Sequence, residues 1–261
     1  MKKQIIIYSI VLSLFCGCKT TEPTLLPQTA TAVLVGIGFK CDKKEIQKKG
    51  ADLDIRTMYE TVRYAYNDNY LVGLQKPNCT YKVLQDHNAT TYNVKSALQS
   101  AINDELAILY FSCKSLQLES TDQDEIDDLD ECLQLYDGIL RDNEIWEIIS
   151  QAKGRVFIIF DTSNSSSMFK SSMANNIQLM NIDNKETSSL NITCWSACLD
   201  NEVLPEKGTG GKLTTYLYYK YYTKELTYQQ VFDKILKSLS HKQNINKTVI
   251  GEDFSNKSMF R

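Results

Sequence analysis

A run of small hydroxyl residues follows an aspartate at the end of one apolar stretch, and this arrangement could place a nucleophile in a loop. The stretch RVFIIFDTSNSSS (155–167) passes from a β-branched run to Asp161 and then to Ser163. A serine hydroxyl attacks a carbonyl efficiently only when a neighbouring base accepts its proton. The chain has two histidines, His87 and His241, and neither has a candidate nucleophile beside it in the sequence. Ser163 is therefore either a nucleophile or the mark of a lost one.

The cysteines offer thiol nucleophiles and metal ligands. Of the eight, six lie beyond the N-terminal segment: Cys41, Cys79, Cys113, Cys132, Cys194 and Cys198. Six cysteines allow 15 disulfide connectivities, and the sequence selects none of them. Cys194 and Cys198 have no second cysteine pair or nearby histidine, so zinc ligation is the weaker interpretation.

An acidic run, TDQDEIDDLDE (121–131), holds seven carboxylates in the ten residues from Asp122. It does not fit an EF-hand, because the glycine of that loop is missing. The simplest expectation is a solvated acidic loop.

These residues must be positioned by alternating strands and helices. Apolar runs predict strands over 31–39, 81–86, 105–112, 155–161 and 189–197, and amphipathic stretches predict helices over 54–66, 91–102, 143–152, 213–222 and 228–239. This alternation predicts an α/β domain over residues 31–240, with a mostly parallel sheet covered by helices on both faces. Residues 241–261 are predicted to form a polar tail. Ligands bind beyond the carboxyl ends of such strands, so the loops after residues 39, 86, 112, 161 and 197 are the ones to inspect.

Composition excludes some classes of function. The 261 residues are 43% hydrophobic and 23% charged, which is ordinary for a globular domain, and the net charge of -3 offers no basic surface for nucleic acid. We expect no nucleic-acid partner.

The N-terminus indicates export. Lys2 and Lys3 precede an apolar run (5–15) that is too short to span a bilayer but has the length of a signal-peptide core. The residues LFCG before Cys18 resemble the lipobox of bacterial lipoproteins, with a plain secretory signal as the alternative. We expect a signal peptide over 1–17, lipidation of Cys18, a tether over 18–30 and a location in the cell envelope, anchored to a membrane by lipid.

The chain from residue 31 to residue 239 resembles the caspase and metacaspase family of cysteine peptidases, in its bacterial branch. The segments that carry the resemblance are VLVGIGF, YKVLQDHNATTYNVKSALQ, DEIDDLDECLQLYDGILRDNEIWEII, ITCWSACLDNEV and GGKLTTYL. Each is weak alone, but they occur in the family's order and spacing. The resemblance implies a caspase-like three-layer sandwich.

The resemblance also locates the catalytic dyad, and both members are replaced. The family's Y-S-G-H-G segment matches Tyr110 or Phe111 followed by residues 112–115, which puts Lys114 at the histidine position. Its D-S-C-H-S-G segment matches residues 161–166, which puts Ser163 at the cysteine position. The expectation is a catalytically degenerate homologue.

An active hydrolase remains the alternative, through Ser163 with Lys114 or through a relocated thiol such as Cys113 or Cys198. To act as a base near neutral pH, Lys114 would need a pKa lowered by about 3, and nearby carboxylates oppose this.

The chain could retain a binding pocket for a basic side chain although its catalytic dyad is replaced. In metacaspase-like proteins an acidic pair and a serine line that pocket, and the matching residues here are Asp54, Ser112 and Asp161. They would suit an Arg or Lys of a peptide or protein partner. The alternatives are that Asp161 merely caps a turn or that Lys114 occupies the pocket.

The resemblance further suggests a calcium site, whose carboxylate positions match Asp130, Asp142 and Asn143. A fourth position matches Lys170, and a cation there disfavours Ca²⁺. We therefore expect no cofactor.

Overall fold

The computed structural model describes residues 27–40, 45–46, 48–67, 78–120, 129–163, 165–166, 168, 190–199, 202, 204, 210–221, 226–240 and 242–260. The strands are β1 (Thr29–Gly36), β2 (Phe39–Lys40), β3 (Glu45–Ile46), β4 (Asn78–Gln85), β5 (Leu106–Ser112), β6 (Ser115–Glu119), β7 (Leu129–Gln134), β8 (Ile139–Arg141), β9 (Arg155–Phe160), β10 (Asn191–Ser196) and β11 (Asn246–Gly251). The helices are α1 (Ala51–Asn67), α2 (Thr91–Ala101), α3 (Asp142–Ile149), α4 (Lys212–Tyr221) and α5 (Tyr228–Leu239).

Six strands form the central sheet in the order β4-β1-β5-β9-β10-β11. The pairs from β4 to β10 are all parallel, whereas β11 runs antiparallel to β10 at one edge. The carboxyl ends of β1, β5, β9 and β10 therefore meet at one edge of the sheet, and the loops that follow them are neighbours.

Helices cover both faces of the sheet. On one face, Val33, Leu109 and Ile158 share a buried apolar cluster with residues of α2 and α3. On the other, Leu34 and Ile108 share a second cluster with residues of α1, α4 and α5. The strands are apolar on both sides for this reason, since neither face of a sheet covered by helices meets water. The predicted α/β three-layer sandwich with a mostly parallel sheet is confirmed.

The predicted helices and strands of the core are present, with boundaries that shift by at most three residues. Helix α5 begins where predicted because the Thr227 hydroxyl accepts a hydrogen bond from the Gln230 N–H (3.2 Å), and the Gln230 side-chain oxygen accepts one from the Thr227 N–H (3.0 Å).

The predicted domain boundary at residue 240 is wrong. Residues 246–251 form β11, and Phe254, Met259 and Phe260 are buried beyond it. The segment has few apolar residues in a regular pattern, because an edge strand is partly exposed and its aromatic residues enter the core singly. The C-terminal segment thus completes the domain.

The prediction of a solvated acidic loop is wrong for its last two carboxylates. Asp130 and Glu131 lie in β7, which pairs with β6 and β8 in a small antiparallel sheet, and both residues are buried. Residues 121–128 lie outside the described residues.

Candidate functional site

Four polar residues from three separate parts of the chain meet in one buried cluster. The Nζ atom of Lys48 lies 3.2 Å from Oδ2 of Asp54, in the first turn of α1, and 2.9 Å from the hydroxyl of Ser112, at the end of β5. Lys48 also donates to the carbonyl oxygen of Asp161, and its Nζ lies 3.9 Å from Oδ1 of that carboxylate. Ser112 donates in turn to Asp54 Oδ2 (2.7 Å). We call Asp54, Ser112 and Asp161 the acidic pocket, and the Lys48 ammonium occupies it.

The two carboxylates of the acidic pocket lie at the N-terminus of α4. Asp54 Oδ1 accepts the backbone N–H of Gly211 (2.6 Å), and Asp161 Oδ2 accepts both the N–H (3.1 Å) and the hydroxyl (2.6 Å) of Thr214. Since the Thr214 hydroxyl donates to Asp161, the hydroxyl of Tyr110 (2.6 Å away) donates to Thr214. The partial positive charge of the helix terminus therefore stabilises both anions. The interpretation of Asp161 as a mere turn cap was too narrow, because it binds Lys48 as well.

Two glycines allow this close approach. A Cβ atom on Gly211 would lie 1.9 Å from Asp161 Oδ2, and one on Gly210 would lie 2.5 Å from Asp54 Oδ1. Gly210 also has φ +80, which other residues adopt at a cost. The Gly-Gly pair is thus required by the carboxylates beside it.

The charges of the acidic pocket alter one another. Burial alone would lower the pKa of Lys48, but the charges of Asp161 and Asp54 outweigh burial and raise it, so the side chain stays an ammonium. Burial, followed by repulsion from Asp161, raises the pKa of Asp54 despite its contacts with Lys48. The pocket therefore holds its cation firmly and tolerates a proton on one carboxylate.

Lys114 and Ser163, the two substituted dyad positions, lie in neighbouring loops. The Ser115 hydroxyl donates to the carbonyl oxygen of Ser163, which brings the loops after β5 and β9 together. The Ser163 hydroxyl accepts the backbone N–H of Leu204 (3.1 Å). Within the described part of the chain, no hydrogen bond joins the Lys114 ammonium to the Ser163 hydroxyl. The lysine in the acidic pocket is Lys48, which the sequence analysis did not single out.

The two thiols considered as relocated nucleophiles are buried. Burial raises the pKa of Cys113 to about 12, which keeps it protonated near neutral pH. The sulfur of Cys198 lies 3.3 Å from the carbonyl oxygens of Thr162 and Glu202. The thiols of Cys79, Cys113, Cys132 and Cys194 are not joined in disulfides.

The candidate calcium residues lie close together but bind protein groups. Asp130 forms an ion pair with Arg141, and Asp142 accepts the backbone N–H of Asn143 (2.9 Å) at the start of α3. In the described ranges no group of three or more His, Cys, Asp or Glu side chains is arranged to hold a metal ion. Lys170 lies outside those ranges.

Of the three remaining candidates, one lies in the described ranges. His87 is exposed in a short 3-10 turn (Asp86–Asn88), and His241 and Cys18 lie outside the described residues. A groove of about 420 Å³ lies between α1 and the edge strand β4, and none of the predicted site residues lines it.

Sequence reasoning missed Lys48, Gly211 and Thr214. Lys48 belongs to a lysine-rich segment, KKEIQKKG (43–50), whose members look alike in sequence. The segment GGKLTTYL (210–217) does predict the start of α4. A helix start alone, however, does not reveal which side chains face its N-terminus.

Comparison with known proteins gives the fold and nothing finer. No protein-family model and no curated protein matches the chain. Among solved structures, it is similar to protein GSU0716 from Geobacter sulfurreducens, with a TM-score of 0.64 and 18% sequence identity over 87% of this chain and 94% of that one. The two proteins share an α/β sandwich fold.

Proposed function

We propose that this chain is a caspase-like protein that has lost peptidase chemistry and acts by binding, scaffolding or regulating a partner through a lysine or arginine side chain. One observation carries the proposal: Asp54, Ser112 and Asp161, which the resemblance assigns to a pocket for a basic side chain, converge on an ammonium group. The convergence is not a consequence of sequence proximity, since 58 residues separate Asp54 from Ser112.

The geometry at the dyad positions supports loss of catalysis. A serine nucleophile needs its hydroxyl to donate a hydrogen bond to a base, and among the described residues the Ser163 hydroxyl accepts from the Leu204 N–H and donates to no base.

Covalent labelling tests this proposal. The soluble domain is exposed to an acyl-transfer probe directed by arginine or lysine, and adducts are located by mass spectrometry in the wild type, Ser163→Ala and Lys114→Ala. We expect no adduct at Ser163, Cys113 or Cys198, and no turnover of Arg or Lys peptides. An adduct at Ser163 that both variants lose would instead establish a rebuilt serine hydrolase.

We further propose that the domain is held at a membrane in the cell envelope by a lipid on Cys18. The support is the signal-like N-terminus and the lipobox-like residues before Cys18. No helix in the described ranges is long and apolar enough to cross a membrane. Intact mass of the membrane-extracted protein should show a diacylglyceryl adduct at Cys18, and Cys18→Ser should release the protein from the membrane fraction.

A further inference from the structure

We propose that Lys48 is an intramolecular ligand of the acidic pocket, which a lysine side chain of a partner displaces, and that the pocket selects lysine over arginine. This inference rests on the proposed function, because it names the ligand class of that same site and the group that blocks it.

The pocket matches a primary ammonium. An ammonium has three N–H donors, and three acceptors surround Nζ of Lys48: Asp54 Oδ2, Ser112 Oγ and the Asp161 carbonyl oxygen. All three surround that single nitrogen atom, and the Lys48 residue is 6% exposed. A guanidinium is a flat fork whose five N–H donors are spread over three nitrogens, with at most two on each. It therefore cannot offer three donors from a single nitrogen atom, as this arrangement of acceptors requires. The geometry therefore favours lysine.

Lys48 is held mainly by its side chain. Lys48 lies in a turn between the two-residue strand β3 and α1. Its backbone carbonyl oxygen accepts one long hydrogen bond from the Ala51 N–H (3.4 Å). Asp54 and Ser112 belong to a long helix and a central strand, and the Asp161 N–H bonds to the Phe111 carbonyl oxygen (2.9 Å). The cation thus comes from a turn with little backbone hydrogen bonding, whereas the residues that bind it are held by the core.

Because the pocket carries buried negative charge, Lys48 should leave it only when another cation takes its place. Removing Lys48 alone would leave two carboxylates buried without their cation, which is strongly unfavourable. Replacing one ammonium by another keeps every ion pair and hydrogen bond. The tethered lysine has a high effective concentration, however, so a small ligand competes poorly until Lys48 is removed.

The probe is the peptide acetyl-Ala-Ala-Lys-Ala-Ala-amide, with arginine and methionine versions as controls. Its affinity is measured by calorimetry for the wild type, Lys48→Ala and Lys49→Ala. The last variant is the matched control, because Lys49 is the exposed neighbour of Lys48. We expect Lys48→Ala to bind the lysine peptide at least about ten-fold more tightly than the wild type and Lys49→Ala do. The arginine peptide should bind Lys48→Ala at least about ten-fold more weakly than the lysine peptide. Adding Asp54→Asn to Lys48→Ala should abolish the gain.

Equal affinities of folded Lys48→Ala and wild type would overturn the inference, and would leave Lys48 as a structural counter-ion. If Lys48→Ala does not fold, n-butylammonium chloride is added during refolding, with sodium chloride and n-butanol as controls. Restoration by the ammonium alone supports the inference, and no restoration overturns it.

Reductive methylation of the wild type separates this inference from the proposed function. Lys49 should be methylated readily and Lys48 slowly, and saturating lysine peptide should accelerate methylation of Lys48. Peptide binding that leaves Lys48 protected would refute displacement while the binding role stands. Cleavage of the peptide would refute the proposed function, whatever happens at Lys48.

Discussion

Lys48 and Asp54, six residues apart in the chain, form an ion pair of 3.2 Å that is buried beneath the N-terminus of α4. The pair is local, because the turn before α1 folds the lysine back over the first turn of the helix. Its surroundings are not local, since Asp161 and Ser112 come from the ends of two central strands. The local ion pair therefore also ties α1 to the ends of these two central strands.

Replacing Lys48 by methionine should destabilise the protein by about 3–5 kcal/mol, because two buried carboxylates lose their cation while the stem volume is kept. Urea unfolding measures this change. Lys49→Met is the matched control, since Lys49 is exposed, and its effect should stay within about 0.5 kcal/mol. Equal effects of the two variants would show that the Lys48 ion pairs contribute nothing.

The stability of the wild type relative to Asp54→Asn should fall as the pH rises. The pKa of Asp54 is raised above its ordinary 3.8, so the folded protein binds this proton more tightly than the unfolded chain does. The contribution of Asp54 is complete below pH 3.8 and is lost as the pH rises through the raised pKa. Urea unfolding of both proteins from about pH 4 to about pH 8 tests the sign. If the difference in free energy of unfolding grew with pH, the ion pair would lower this pKa, contrary to expectation. Asp52→Asn is the control, because Asp52 lies in the same turn but is exposed, and its difference from the wild type should not change with pH.

Gly211→Ala should lower the free energy of unfolding by about 1–3 kcal/mol or more, because the new Cβ would fall 1.9 Å from Asp161 Oδ2. Gly138→Ala serves as the control, since its Cβ would lie 3.4 Å from the Thr91 hydroxyl. Thermal unfolding of the two variants measures the contrast. A neutral Gly211→Ala would mean that α4 can move away from Asp161 without loss.

Iodoacetamide at mildly alkaline pH should leave Cys113 and Cys198 unmodified in the folded protein. Both thiols are buried, and the pKa of Cys113 is about 12, so little thiolate forms. Cys79 is the half-buried comparison. Peptide mapping with and without urea gives the rates, and fast reaction of Cys113 or Cys198 without urea would favour the relocated-thiol hydrolase.

Phe260→Ala should destabilise the protein by about 3–5 kcal/mol, as expected for a fully buried aromatic side chain. Its ring contacts those of Phe157 and Tyr228, and its N–H donates to the Tyr228 hydroxyl (3.0 Å). Tyr219→Ala, at a ring that is 67% exposed, is the control. Equal urea midpoints for the two variants would show that the C-terminal segment is not part of the cooperative core.

Local patterns in the sequence determined the layers of this protein. Runs such as RVFIIF and LAILYFS are apolar on both faces, which predicts covered parallel strands, and the amphipathic stretch 228–239 predicts α5. These inferences succeed because periodicity depends on neighbours in the chain. The grouping of Asp54, Ser112 and Asp161 came instead from the family resemblance, since these residues are far apart in the sequence.

Tertiary structure alone decided what completes the pocket and the sheet. Lys48 and Lys49 are indistinguishable in sequence, yet one is buried against two carboxylates and the other is exposed. Strand β11 pairs with β10 although its own pattern is weak. Burial of a charge and pairing of an edge strand depend on groups far along the chain, so no local pattern encodes them.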